Sequence, residues 1–256
     1  MYNQAGSCWS AQSKDRAPSG FDFHRHPVAQ VTVGLDGPLT VVLGGGRTAT
    51  SPVVVIAGGA SHALRSAGAR FVLSVYLSPV SRAGAALNAL SGGPGVWTVD
   101  DEVAQRISSI ASQSGGMQSA ADSVVREVLQ AGGLDLAEVA SAHVAVRSAL
   151  RVLTDSIPDR VGLAAVARAV AVSPDYLGRL FRRQTGTSFA ATSRWLRLLN
   201  ALHHLDRGAS ITDAAHLAGF ADSAHAHRVC RELAGLPPNQ VALALAADRT
   251  DLFKRS

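Results

Sequence analysis

The stretch GFADSAHAHRVCRELAGLPP, from Gly219 to Pro238, reads as a tight turn, a helix and a glycine stop. Ala226, Val229, Cys230 and Leu233 recur at helical spacing and should pack inward. That leaves Ser223, Ala224, His227, Arg228 and Arg231 on the outer face. Immediately upstream, SITDAAHLAGF (Ser210 to Phe220) reads as a shorter helix, so the unit is helix, turn, helix.

The same unit occurs once before. LAAVARAVAVSPDYLGRLFRRQTGTS, from Leu163 to Ser188, lies on it with Arg179 over Arg228, Phe181 over Cys230, Arg182 over Arg231 and Gly186 over Gly235, each 49 residues apart. Before the turn the offset is 48, as between Ala167 and Ala215, so the second copy carries one extra residue in its turn. Ser173-Pro174-Asp175 supplies an N-cap hydroxyl, a proline at the first helical position and an acid beside the helix dipole. Leu177, Leu180 and Phe181 share one face, while Asp175, Gly178, Arg179, Arg182 and Arg183 face out. Both outer faces are small and polar at their start and arginine-rich further on. That order suits a helix in a major groove, with base edges read early and phosphates held later.

At this point the chain resembles the AraC/XylS-type transcription regulators. The residues that carry the resemblance are the Gly219-Phe220 pair followed by Asp222, His225, Arg228, Arg231, Gly235 and Pro238, the upstream run from Ser173 to Phe189, and WLRLLNA from Trp195. It covers about 100 residues, from Val146 to Val241. It implies seven helices, with two helix-turn-helix units held apart by a long helix over residues 188–206. It also implies double-stranded DNA as a partner, contact with RNA polymerase, and action as a homodimer. The recognition positions carried over are Asp175, Tyr176, Gly178 and Arg179 in the first unit, and Ser223, Ala224, His227 and Arg228 in the second. Gly178 and Ala224 offer only shape or thymine-methyl contact. Ala226 and Cys230 stand where the family usually has aromatics, and Ala171 where the first turn often has glycine, so a leaner second core is expected.

The other half has a different texture. VAQVTVGLDGPLTVVLGGG alternates apolar residues around an Asp-Gly turn, and PVVVIAGG and RFVLSVYLSP read as further strands. Within it, FHRHPVAQ (Phe23 to Gln30) places His24, His26 and Gln30 on one face if the segment is a single strand. Together with His62, and with Gly20, Gly37, Ala57, Gly59 and Ser66 at the remaining motif positions, these residues resemble the two cupin motifs, with Gln30 where the family has glutamate. The resemblance implies a sensor barrel.

Three roles stay open for His24, His26, Gln30 and His62. They could be ligands for a divalent metal ion, the polar wall of an organic effector pocket, or structural histidines. The missing carboxylate favours the organic effector. Cupin enzymes share this fold, but no nucleophile-base constellation stands out, and a paired helix-turn-helix module is not an enzyme's usual companion, so no catalytic activity is expected.

The charge agrees with this division. Residues 1–143 hold 9 Lys and Arg against 10 Asp and Glu, whereas residues 144–256 hold 15 against 9. A near-neutral half is thus joined to a basic one that can face an anionic partner. Cys8 and Cys230 lie far apart in no pairing pattern, and no signal-like or membrane-length apolar run is present. A cytoplasmic protein is therefore expected. The expected organisation is α+β in two domains: an arm (1–20), a cupin-like β-barrel (21–80), flanking helices for dimerisation or linkage (81–141), an all-α domain with two helix-turn-helix units (142–244), and a tail (245–256).

Overall fold

The structure is a computed structural model that describes residues 7–12, 21–69, 71–93 and 95–241. The expected tail, and most of the expected arm, lie outside the described residues.

The first half is a two-sheet sandwich. One sheet has the order β1-β8-β3-β6-β9, built from β1 (Ser7–Gln12), β8 (Phe71–Leu77), β3 (Ala29–Gly34), β6 (Val53–Ile56) and β9 (Val96–Thr98). The other has the order β2-β7-β4-β5, from β2 (Phe21–His24), β7 (His62–Ser66), β4 (Leu39–Leu43) and β5 (Thr48–Ser51). Every strand pair is antiparallel. The expected barrel is thus two stacked sheets, and part of the expected irregular arm, Ser7–Gln12, pairs along its whole length with β8.

FHRHPVAQ is not one strand. His24 ends β2 in the smaller sheet and Gln30 lies in β3 of the larger one, so residues 25–28 carry the chain from sheet to sheet. Pro27, which has no N–H for a ladder, sits at that crossing.

Alternation along β3 divides its neighbours. Val31 and Val33 point to the outer side, where they share a core with Val53, Val55, Leu73 and Val75. That side is covered by α1 (Arg82–Leu90), α2 (Asp101–Gln113) and α3 (Met117–Ala131) through Leu87, Ile107, Val124 and Val128. The buried stripes of these helices are spent on the sheet. They cover that face of the sheet. Val41, Val54, Ile56 and Leu64 form a smaller cluster between the sheets.

The second half is helical: α4 (Val144–Asp155), α5 (Leu163–Ala169), α6 (Pro174–Thr185), α7 (Phe189–Asp206), α8 (Ile211–Leu217) and α9 (Ser223–Ala234). The caps follow the local sequence. Ser173, Ser188, Ser210 and Asp222 each accept a first-turn N–H, and Gly186 and Gly235 end α6 and α9 in the left-handed conformation. The α8–α9 turn needs Gly219. Its φ is +75°, and a Cβ there would lie 1.9 Å from the carbonyl oxygen of Pro158. At the equivalent place before α6 stands Ala171, with φ +55°. Among the described residues no helix is long and apolar enough to cross a membrane.

Candidate functional site

The side chains of His24, His26, Gln30 and His62 converge although the expected single strand does not exist. His24 and His62 are cross-strand partners of β2 and β7, and His26 reaches them from the crossing segment. All three histidines are buried. Their rings lie close: centroids are 4.1 Å apart for His24 and His62, 5.1 Å for His26 and His62, and 5.6 Å for His24 and His26.

Burial sets their charge. It lowers the His24 pKa to about 4, with the Asp22 carbonyl opposing. It lowers that of His26 to about 3, aided by the nearby His24 charge. It also drives His62 well below its ordinary value, with His24 and His26 adding to the effect. The rings are therefore neutral at pH 7. Each Nδ1 lies beside a backbone carbonyl: Asp22 at 2.8 Å for His24, Val28 at 3.0 Å for His26, and Ala60 at 2.9 Å for His62. A carbonyl can only accept, so each Nδ1 carries the proton and each Nε2 keeps its lone pair.

A carbonyl held on Nδ1 in this way orients an imidazole to offer Nε2 to a metal. The potential ligand atoms lie within 4.8 Å of one another, against about 3.4 Å for nitrogens around a tetrahedral zinc-like ion. The residues fit a divalent cation after a contraction of about an ångström. A second observation agrees: Nε2 of His62 is buried without a hydrogen-bond partner. Such an atom costs about 1–3 kcal/mol unless something binds it.

Gln30 is engaged otherwise. Its Oε1 lies 2.7 Å from Nε2 of His26, and its Nε2 donates to Oγ1 of Thr32 at 2.7 Å, which meets Oγ of Ser74 at 3.1 Å. With Nδ1 of His26 protonated, turning the amide over presents its NH2 to Nε2 of that ring, and Thr32 then donates to the amide oxygen. A buried polar track thus runs from the cluster between the sheets.

The cluster also touches the helical half. The ring of Trp195, on α7, is 5.5 Å from His26 and 5.5 Å from Tyr76, and Tyr76 is 5.3 Å from His26. Strand β2 caps the end of α9: Asp22 N–H donates to the Gly235 carbonyl at 3.0 Å and Arg25 N–H to that of Glu232 at 3.1 Å. These are helix-end carbonyls that lack partners within the helix. Gly235 permits the approach, since a Cβ there would sit 2.6 Å from Nδ1 of His24. The carboxylate of Asp22 lies 3.5 Å from the guanidinium of Arg231.

The expected recognition positions lie on the two second helices. On α6, Asp175 and Arg179 form an exposed i,i+4 ion pair, Tyr176 is exposed, and Gly178 is half-buried near Leu163. Arg182 and Arg183 are exposed, with no carboxylate partner among the described residues. On α9, Ser223 and His227 are half-buried, Ala224 and Arg228 are exposed, and Arg231 meets Asp22.

Residues 166–243 match the family model described as a helix-turn-helix domain. Over 100 residues the chain is 33% identical to the HTH-type transcriptional regulator GlxA of Rhizobium meliloti, covering 39% of this chain and 31% of that protein. The helical half carries a helix-turn-helix domain. The chain spans only about a third of that curated relative. Across nearly its whole length it shares the two-domain fold of ToxT from Vibrio cholerae. An apo ToxT variant aligns with TM-score 0.67 at 12% identity over 95% of this chain and 98% of that one. ToxT with an unsaturated fatty acid bound aligns with TM-score 0.64 at 11% identity over 96% and 98%.

Sequence reasoning did not find the junction between the sandwich and the helix-turn-helix domain. Trp195 was legible only as a helix residue of that domain, and Tyr76 only as a strand residue. Asp22 and Arg25 dock through backbone N–H groups, which leave no mark in the sequence.

Proposed function

We propose that this protein is a DNA-binding transcription regulator in which the state of His24, His26 and His62 sets how the AraC-type domain is held. One observation carries the reading: the ring of His26 packs directly on Trp195, in the helix that joins the two helix-turn-helix units. A change at the cluster therefore meets the DNA-binding half without a long relay.

The effector that this geometry supports best is a divalent metal ion, with Nε2 of His24, His26 and His62 as ligands once the Gln30 amide releases Nε2 of His26. A bound cation would supply positive charge and draw the three imidazoles together. The chain's own residues turn that into a response. The carbonyls of Asp22, Val28 and Ala60 hold the rings in one tautomer. His24 sits two residues from Asp22 and against Gly235, so its movement shifts the strand that caps α9. Double-stranded DNA is then read by the outer faces of α6 and α9, with Arg179 and Arg228 as the leading candidates for base contact and Arg182, Arg183 and Arg231 for phosphates. A second reading, an apolar acid as effector, is favoured by the shared fold of the fatty-acid-bound ToxT structure and by the polar track of Gln30, Thr32 and Ser74.

The test is elemental analysis and native mass of the full chain purified with zinc, and then of His62→Ala. One zinc per chain that is lost in the variant, together with a zinc-dependent change in DNA affinity, is the expected result. Zinc-free wild-type protein whose tryptophan emission shifts on titration with an unsaturated fatty acid would move the assignment to the organic effector.

A further inference from the structure

Between α6 and the first half of α7 lies a groove of about 740 Å³ that the histidine site does not use. One wall is the outer face of α6, with Arg179 and Arg182. The floor is a stripe of α7: Ala190, Ser193, Arg194 and Arg197, spaced as one helix face. The small side chains at 190 and 193 leave the floor open, and the arginines charge it.

Positive charge predominates there, because Asp175 is the only carboxylate in the lining. Asp175 is already paired with Arg179, and Arg194 with Glu232 of α9 at 2.8 Å. Arg197 is half-buried, donates to Oγ of Ser193 at 3.3 Å, and has no carboxylate partner among the described residues. Burial first, and the charge of Arg160 second, pull its pKa below the ordinary value. Arg160 itself is anchored to the Gly219 carbonyl, in the turn of the second unit. The charged floor therefore runs from the first helix-turn-helix unit to the second.

We propose that this groove binds the DNA backbone, with Arg197 and Arg194 on the long helix holding phosphates of the strand that crosses between the two major-groove contacts. The proposal rests on the DNA-binding reading and adds two residues that belong to neither recognition helix. Any duplex engaged by both α6 and α9 must pass over α7. An open arginine floor beneath it reaches phosphates and no base edge, so these contacts fix register without selecting sequence. They would also carry a measurable share of the salt dependence.

The experiment is fluorescence anisotropy of the full chain with two 30-base-pair duplexes of unrelated sequence, over a series of salt concentrations. Arg197→Ala is expected to weaken both complexes by the same factor and to reduce the slope of log K against log salt by about 1. Arg197→Lys should restore most of the slope, because a phosphate contact needs the charge and not the fork. Arg194→Ala should act in the same direction and serves if Arg197→Ala does not fold. Unchanged slopes in both alanine variants, or a loss confined to one duplex, would overturn the proposal. Wild-type protein that binds neither duplex at low salt would instead sink the DNA-binding reading itself.

Discussion

The two helix-turn-helix units descend from one pattern but are held in different ways. In the first, Phe181 fills a core made with Leu177, Leu180, Val166 and the α4 residues Val146, Ala149 and Leu153. In the second, Cys230 occupies the equivalent position, and Ala226 also falls short of an aromatic. There the core is completed from outside, by Trp195 of α7 and by Val28 and Tyr76 of the sandwich. The recognition helix of the first unit ends at Gly186, close to the Gly58–Gly59 turn of the sandwich but without a backbone hydrogen bond to it among the described residues, whereas that of the second is hydrogen-bonded by Asp22 and Arg25. One unit carries its own core; the other borrows part of its core from the sandwich. The leaner second core expected from Ala226 and Cys230 is thus a place of attachment.

The largest effect should come from exchanging the residues at the two turns. Gly219→Ala puts a Cβ into the Pro158 carbonyl at positive φ and should cost on the order of 3 kcal/mol, read from the urea midpoint. The reverse change in the other unit, Ala171→Gly, removes a left-handed alanine and should gain about 1 kcal/mol. Equal and small effects at both turns would erase the contrast between them.

The next effect is one of pH. His24 and His26 hold pKa values of about 4 and about 3 in the fold, against an ordinary 6.5. As pH falls below 6.5 the unfolded chain takes up protons that the buried cluster refuses. Stability should therefore fall from pH 6.5 down to about 4 through His24 and down to about 3 through His26, by up to about 1.4 kcal/mol per pH unit for each histidine, with no contribution from these groups above that window. Denaturant melts at pH 7.5 and 5.0 measure it, and a flat profile would mean that the folded cluster takes up protons as readily as the unfolded chain does.

The smallest effect concerns the ion pair at the attachment. Both partners are more than half exposed, so Asp22→Asn should change docking by less than about 1 kcal/mol. By freeing Arg231 it should raise DNA affinity at low salt by no more than about fivefold. The same change should have no effect at 0.5 M salt, and an unchanged low-salt affinity would remove Asp22 from the attachment.

Much of the helical half was legible because its determinants are local. Ser173-Pro174-Asp175, the glycine stops and the repeated apolar spacing each act within a few residues, and the helices fall where those signals place them. The sandwich was less legible. FHRHPVAQ brings the right side chains together by a route its alternation did not suggest, since Pro27 breaks the strand and sends the chain across to the other sheet. The short strands with glycine-rich corners suited a small barrel or a sandwich alike, the resemblance pointed to the barrel, and the strands form two sheets. The role of Trp195 beside His26 was not legible at all. It depends on how two halves meet, and neither the helix face nor the strand face encodes its partner.

The backbone contacts of β2 have one more consequence. Asp22 and Arg25 each lend an amide hydrogen to a carbonyl in the opposite half of the molecule. If the halves part while both stay folded, those two amides lose their protection together and the sheet ladders keep theirs. Deuterium uptake at these two positions, measured against global exchange, would give the free energy of parting separately from that of unfolding.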